Sequence, residues 1–257
     1  MIETGDKRVL LSVQYPMATI TLARPEKLNA LDIPMIKALE AAALEIEADA
    51  AIRVAIITGE GERAFCAGGD ITAWSAEAPE DFGLQWVRIG HRAFDALTRL
   101  RVPLIAAING SAMGGGVELA ATADFRIAVT HAKFSLPETG LGIIPGWSGT
   151  QRVVKRFGAQ VVRRMALSGE TFTADQALAL GMCDLVVGKN DLVAATVKMA
   201  THIATKSAFA TSAVKILINA ADGEDVPRAL EALGGIAAAH SAELRTGLAA
   251  FHAKKKT

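Results

Sequence analysis

Cysteine is scarce in this chain: two residues in 257, Cys66 and Cys183. That excludes a disulfide framework, and neither sits in a metal-ligand spacing. Both are expected as reduced thiols in a cytoplasmic setting. A surplus of either charge is also missing, with Lys+Arg and Asp+Glu at 27 each. Nucleic-acid binders carry a basic excess, so that class is disfavoured. The first six residues are polar and hold no apolar signal core. The most apolar long stretch, Leu104 to Ala123, is interrupted by Asn109, Glu118 and three consecutive glycines, which argues against a membrane span. What the chain has in quantity is core material. Hydrophobic residues make up 51%, enough for one large folded domain.

The pattern of that material alternates. Val9 to Val13 and Ala18 to Thr21 read as strands around a turn at Tyr15-Pro16. Ile33 to Ala48 has helical periodicity, with Asp32 as N-cap and Pro34 in the first turn. Val54 to Thr58 is a buried strand, a helix is expected from about Asp81 to Arg99, and Leu104 to Ile108 is a second buried strand. A helix opens near Val117, and Phe125 to Val129 is a third strand. Strand–helix alternation of this kind favours a layered α/β fold. Beyond Gly149, helix formers dominate over 159–167, 174–180, 192–205, 208–221, 226–240 and 241–255, with one short strand at Leu185 to Val187. The expected organisation is a core over residues 1–190 followed by a helical region over 191–257.

Two segments share a design, a strand leading into a glycine-rich turn that opens a helix. One is Ala64-Phe65-Cys66-Ala67-Gly68-Gly69-Asp70. The other runs Gly110-Ser111-Ala112-Met113-Gly114-Gly115-Gly116-Val117-Glu118. Backbone N–H groups in such turns lack internal partners, and glycine lets a ligand approach them. One amide from each turn could converge on a single oxygen and stabilise an oxyanion. Neither segment is a P-loop, and spacing alone fits tight packing equally well. Glu118 lies in an apolar run and Glu138 in Phe134-Ser135-Leu136-Pro137-Glu138-Thr139-Gly140. Two carboxyl groups sharing an apolar site separate into a proton donor and a proton acceptor. Capping or a surface loop position would explain each one singly.

These residues, together with Ala23-Arg24-Pro25-Glu26-Lys27-Leu28-Asn29-Ala30-Leu31 and Pro137 to Arg152, resemble the crotonase (enoyl-CoA hydratase/isomerase) superfamily over nearly the whole chain. The resemblance implies a ββα spiral core with a helical C-terminal trimerisation region, assembled as a homotrimer or a dimer of trimers. It implies an acyl-CoA thioester as substrate, with coenzyme A part of that substrate and no separate cofactor or metal. The Gly69 and Gly115 amides would bind the thioester oxygen, the second reinforced by the helix after it. Glu118 would deprotonate water for attack at C3, and Glu138 would protonate C2. The loop of Lys27, Asn29, Ala30 and Leu31, with Ala67, Asp70 and Ile71, is similar to the segment that holds the CoA portion. Pro137, Gly146 and Trp147 would border the acyl group, and Phe251 and Lys254 match a C-terminal Phe-x-x-Lys that meets CoA on a neighbouring subunit.

One departure stands out. Where small residues usually come after the third motif's Pro-Gly, this chain has Trp147-Ser148, which would narrow the acyl pocket or give it an aromatic wall. The segment from Trp74 to Trp86 is expected to shape that pocket as well. Hydration is the expected reaction, with double-bond isomerisation or another crotonase-type dehydration as the alternative, and a non-catalytic, RNA-binding role as a third. The five histidines are expected in surface or packing positions, and no Ser-His-Asp relay is visible in the spacing.

Overall fold

Alternation in burial opens the chain's architecture. Strands β1 (Val9–Gln14) and β2 (Met17–Leu22) bury every second residue over most of their length and pair antiparallel. They form the half-covered edge of a six-stranded sheet. The inner strands β3 (Val54–Gly59) and β5 (Leu104–Ile108), and β7 (Phe125–Val129), are nearly continuous apolar runs. They pair parallel, as strands covered on both faces do. Strand β10 (Leu185–Val187) closes the far edge, giving the order β1-β2-β3-β5-β7-β10. We describe a computed structural model covering residues 2–75 and 78–226, with 232, 234, 242 and 246. The helices expected over 226–240 and 241–255 fall largely, and Phe251 and Lys254 entirely, outside the described residues.

Helix α1 (Ile33–Ala48) starts where expected: Asp32 accepts a hydrogen bond from Met35 N at 3.1 Å, and Pro34 sits in the first turn. After β3 comes a strand too short to leave a periodic signal, β4 (Ala64–Cys66), then helix α2 (Ile71–Trp74). The single helix expected from Asp81 to Arg99 is a composite. It comprises a turn of α3 (Pro79–Asp81), a π-helical stretch over Phe82–Val87 and α4 (Arg88–Thr98). The wider π turn is a local irregularity that often marks a functional site.

Short strands recur after each long one. Strand β6 (Ser111–Met113) comes after β5 and leads into α5 (Gly115–Ala120), which begins two residues earlier than the pattern predicts. Strand β8 (Lys133–Ser135) comes after β7. With β9 (Phe172–Thr173) these make a second sheet, β4-β6-β8-β9, whose first three strands run parallel. The repeating unit of long strand, short strand and helix is the expected ββα spiral. The remaining helices are α6 (Arg152–Phe157), α7 (Ala159–Ser168), α8 (Ala174–Ala179), α9 (Leu192–Ala204) and α10 (Ala208–Ala221). Helix α9 packs on β3, β5 and β7. From α10, Lys215 donates to Asp124 Oδ2 (2.7 Å) and Val102 O (2.9 Å), and Asn219 donates to Thr98 O (3.1 Å). The helical region is therefore joined to the spiral through buried polar contacts.

Candidate active site

The second sheet places the three sequence motifs side by side. Strands β4 and β6 pair in parallel through Cys66 and Ala112, and β6 and β8 through Met113 and Ser135. Parallel neighbours end at the same edge, so the turns that leave them must be adjacent. Those turns carry Gly69, Gly115 with Glu118, and Glu138. The first two touch: Gly68 turns with φ +94°, and a Cβ there would meet Gly115 N at 3.1 Å. Gly114 (φ +52°) has a second constraint, because a Cβ on it would sit 2.6 Å from Glu138 Oε1. The Leu31–Gly69 bridge bonds through Gly68 O and Asp70 N, which leaves the Gly69 N–H outside it. The Gly115 N–H lies in the first turn of α5, where it has no intrahelical acceptor.

Both glutamates are buried, at 2% exposure for Glu118 and 8% for Glu138. Glu118 Oε1 accepts two backbone hydrogen bonds, from Trp147 N (2.7 Å) and Gly149 N (2.6 Å). Glu138 begins a 3-10 turn, Glu138–Leu141, and its Oε2 has no hydrogen-bond partner among the described residues. Burial pushes Glu118 up to about 8, with the charge of Glu138 adding to the shift, and burial pushes Glu138 up to about 7. These values belong to the pair, which sheds its two protons across the neutral and mildly alkaline range. Burial alone would leave the last proton on Glu118, and its hydrogen bonds oppose that. The two amides and the field of Arg152 favour the anion at Glu118. The unpartnered oxygen of Glu138 suits the neutral acid.

Gly69, Gly115, Gly146, Glu118, Glu138 and Trp147 line one cavity of about 50 Å³. Its other walls are Trp74, Phe82, Trp86, Val87, Ile143 and Ile144. All three tryptophans of the chain therefore meet here. The indole of Trp147 is 3% exposed and stacks on Trp86 at 5.6 Å. It meets Phe94 edge-on at 5.3 Å and donates from Nε1 to Trp86 O at 3.3 Å. It also presses against three glycines. A Cβ at Gly115 would lie 2.6 Å from the ring, one at Gly69 would lie 3.4 Å away, and one at Gly90 would overlap Nε1. The expected aromatic wall is thus present, and Gly90 on α4 is the unforeseen seat that makes room for it.

The segment expected to meet CoA is shaped by internal bonds. Asn29 is fully buried, donating to Glu60 O and Ala64 O and accepting from Arg24 N, so its side chain closes the loop rather than facing a ligand. Leu31 is buried and bonds to both sides of Gly69, through Gly68 O (2.8 Å) and Asp70 N (2.7 Å). Asp70 caps α2 at Thr72 N and pairs with Arg24 at 2.8 Å, so its carboxylate is already engaged. Arg24 also donates to Ala30 O and thereby ties the loop to the first glycine turn. Lys27 and Ile71 are exposed, Ala67 is half-buried and bonds from N to Leu28 O, and Pro137 is exposed beside Glu138. His91 is in a packing position, half-buried on α4, with Nδ1 3.1 Å from Ser148 Oγ. This is no hydrolase relay, because Asp95 is held by Arg152 (2.6 Å) and Arg99 (3.3 Å). Gly149, Gly90 and His91 carried no signal in the sequence, since a backbone donor and a packing seat leave no residue-type pattern. Among the described residues no group of three His, Cys, Asp or Glu could hold a metal.

Comparison with known proteins adds a family. A family model described as enoyl-CoA hydratase/isomerase matches residues 13–257. A crotonyl-CoA hydratase of Syntrophomonas wolfei is 33% identical over 97% of this chain and 96% of its own length. A carnitinyl-CoA dehydratase of Salmonella arizonae is 41% identical over 78% of this chain and 76% of its own. Among solved structures, an enoyl-CoA hydratase from Bacillus anthracis matches with a TM-score of 0.82 at 31% identity, covering 96% of this chain and 97% of that one.

Proposed function

This chain belongs to the enoyl-CoA hydratase/isomerase family, and from that premise we propose that it adds water across the 2,3 double bond of a short 2-enoyl-CoA thioester. The observation that carries the proposal is the meeting of two glycine turns and two buried carboxyl groups at one small cavity. In this reading the Gly69 and Gly115 amides donate to the thioester oxygen, which makes C3 electrophilic and stabilises the enolate that forms. Glu118, as the anion, takes a proton from water while the water oxygen bonds to C3. Glu138, as the neutral acid, gives its proton to C2. Water's two hydrogens and oxygen are accounted for, and proton exchange between the two carboxyl groups resets the pair. The reaction is redox-neutral, and coenzyme A enters as part of the substrate. Isomerisation needs only one acid/base residue, so the second carboxyl favours hydration.

The walls bear on the size of the acyl group. A cavity of about 50 Å³ has room for a few waters, each taking roughly 10–15 Å³ by that measure, which suits a compact acyl chain. A second reading has its own support. Four aromatic rings and no Lys or Arg line the cavity, and such a box suits a quaternary ammonium group. The same pair of carboxyl groups could then interconvert a 3-hydroxy and a 2-enoyl thioester that carries trimethylammonium at C4, the chemistry that the name of the Salmonella relative suggests.

Assembly as a homotrimer or dimer of trimers is part of the proposal. It is supported by the apolar side chains that α9 and α10 expose, among them Val193, Phe209, Val214, Leu217 and Ile218. A cytoplasmic location is supported by the free, buried thiols of Cys66 and Cys183. The deciding experiment tracks loss of enoyl-thioester absorbance with crotonyl-CoA, a ten-carbon 2-enoyl-CoA and the 4-trimethylammonio analogue of crotonyl-CoA. Fastest loss with crotonyl-CoA is expected. Preference for the cationic analogue selects the second reading, and no loss with any of the three overturns hydration.

A further inference from the structure

Glu118 owes its two amide donors to a turn that ought to be unstable. The donors flank Ser148, and Ser148 holds φ at +85°. Positive φ is the glycine region, and a residue with a Cβ is strained there. The conformation has a purpose that can be read from the bonds: it lets the N–H groups on both sides of one residue, Trp147 N and Gly149 N, reach the same carboxylate oxygen. If residue 148 relaxed to negative φ, the two amides would no longer converge and Glu118 would lose a donor.

Two contacts from α4 oppose that relaxation. Gly90 receives the Trp147 indole, and the next residue, His91, bonds through Nδ1 to Ser148 Oγ at 3.1 Å. Ser148 is 6% exposed, which limits competition from bulk water at its end of the bond. The Ser148 carbonyl is also engaged, accepting from Gln151 N (3.1 Å) and Val153 N (3.2 Å). His91 faces Asp95 from its own helix and Arg99 at that helix's end, and Arg152 with Lys155 from α6 and Glu224 with Asp225 beyond α10 across a polar cavity of about 170 Å³. Either tautomer of a neutral imidazole can make the contact with a hydroxyl.

We propose that His91 is a positioning residue which, through Ser148, holds the turn of residues 147–149 in the form that aims two N–H groups at Glu118. The proposal rests on the reading of Glu118 as the base of the hydration. It adds a residue on a different element, with no contact to the reacting atoms, that sets how readily that base ionises. It also separates two roles at position 148: the backbone conformation serves Glu118, and the side chain exists to hold that conformation.

The separation makes the test. Ser148→Ala keeps the Cβ and its strain and loses the bond, whereas Ser148→Gly loses the bond and the strain together. Ser148→Ala and His91→Ala should each lower kcat at pH 7 by about tenfold, the order set by one non-glycine residue held at positive φ, with KM little changed. Each should move the acid limb of the kcat profile up by about one pH unit, because Glu118 is harder to ionise with fewer donors. Ser148→Gly should recover most of that loss, and His91→Ala added to Ser148→Gly should have no further effect.

A readout without substrate runs in parallel: the pH titration of the Gly149 and Trp147 amide proton shifts by NMR, which reports the carboxyl pair from the Glu118 side. Its midpoint should rise in His91→Ala and in Ser148→Ala, and not when His91→Ala is added to Ser148→Gly. An unmoved midpoint in both single variants, or an equal shift on the Ser148→Gly background, overturns the proposal. If the wild type hydrates none of the three thioesters, the reading of the reaction falls while the amide titration still decides the positioning role. Ser148→Ala tests the same contact from the other side should His91→Ala fail to fold.

Discussion

At the scale of single residues, the catalytic role proposed for the two glutamates and their effect on stability have opposite signs. Their folded-state values lie above the ordinary carboxylate value of 4.5, so the folded chain binds protons more tightly than the unfolded one. Stability from this source is full below the ordinary value and is lost as pH rises through about 7 to 8. Glu118→Gln and Glu138→Gln remove a titration that is unfavourable at high pH. Each should cut hydration by about 10²–10⁴-fold and still melt a few degrees above wild type at pH 8, with the gain shrinking toward pH 5. Thermal melts of both variants at pH 5 and pH 8 check this, and a lower melting temperature at pH 8 would show that the carboxyl groups are not raised. Trp147 acts at the same scale on size. Trp147→Ala deletes the indole but keeps the amide that serves Glu118. The ratio of kcat/KM for a ten-carbon over a four-carbon enoyl thioester should therefore rise at least about tenfold, on the scale of pocket discrimination, and an unchanged ratio would place the acyl chain elsewhere. Both glutamates and Trp147 were legible in the sequence as candidates, because a carboxylate in an apolar run and a bulky residue after Pro-Gly are anomalies of type. Gly149 was not: its contribution is a backbone N–H, which any residue but proline supplies.

At the scale of elements, the site is a consequence of the second sheet. Three parallel strands of three residues each end side by side, and the turns and helix starts beyond their ends carry the candidate groups: Gly69, Gly115 with Glu118, and Glu138. The long strands, the start of α1 and its cap could be read directly, since their periodicity spans enough residues to be counted. Strands of three residues leave no period, so the sheet that builds the site was invisible while the motifs it carries were not. The π turn over Phe82–Val87 was hidden for a related reason. It interrupts a helical pattern without breaking it, and it brings Phe82, Trp86 and Val87 to the cavity wall. The two glycine turns also differ in what they tolerate. A Cβ at Gly69 would meet side chains of Trp86, Trp147 and Trp74 at 3.0–3.5 Å, contacts that small shifts relieve. A Cβ at Gly115 would meet the Trp147 ring at 2.6 Å and Gly68 Cα at 3.3 Å, with a buried ring that cannot retreat because Gly90 is behind it. Both alanine variants keep the amide. Gly69→Ala should retain kcat within about tenfold, whereas Gly115→Ala should lose about a hundredfold or more, in line with loss of a well-placed oxyanion donor. Equal losses would mean that packing around Trp147 does not govern the turn.

At the scale of the whole molecule, the question is whether the residues after 190 are an appendage or part of the spiral's fold. The sequence suggests a division there, because helix formers replace the strand–helix alternation. Composition cannot register the contacts that cross it. Helix α9 covers three strands of the large sheet, and Lys215 of α10 reaches Asp124, the residue just before β7. That ion pair is 2.7 Å long, with the lysine side chain 5% exposed and the aspartate 18%. Asp124 also accepts from Leu104 N at 2.8 Å, so one carboxylate joins the start of β5 to α10. Removing one partner of a buried pair leaves the other uncompensated, at a cost of about 3–5 kcal/mol in the interior, and somewhat less here because Asp124 retains some contact with water. Lys215→Ala should lower the melting temperature by roughly 5–10 °C, given about 2–4 °C per kcal/mol for a domain approaching this size. If α9 and α10 belong to the core's cooperative unit, the whole transition should move while remaining single, with circular dichroism and tryptophan fluorescence melting together. The three tryptophans all lie in the spiral's cavity, far along the chain from α10, so fluorescence reports the core and circular dichroism reports all the helices. A fluorescence transition that stays in place while helicity is lost earlier would make the helical region an independent attachment.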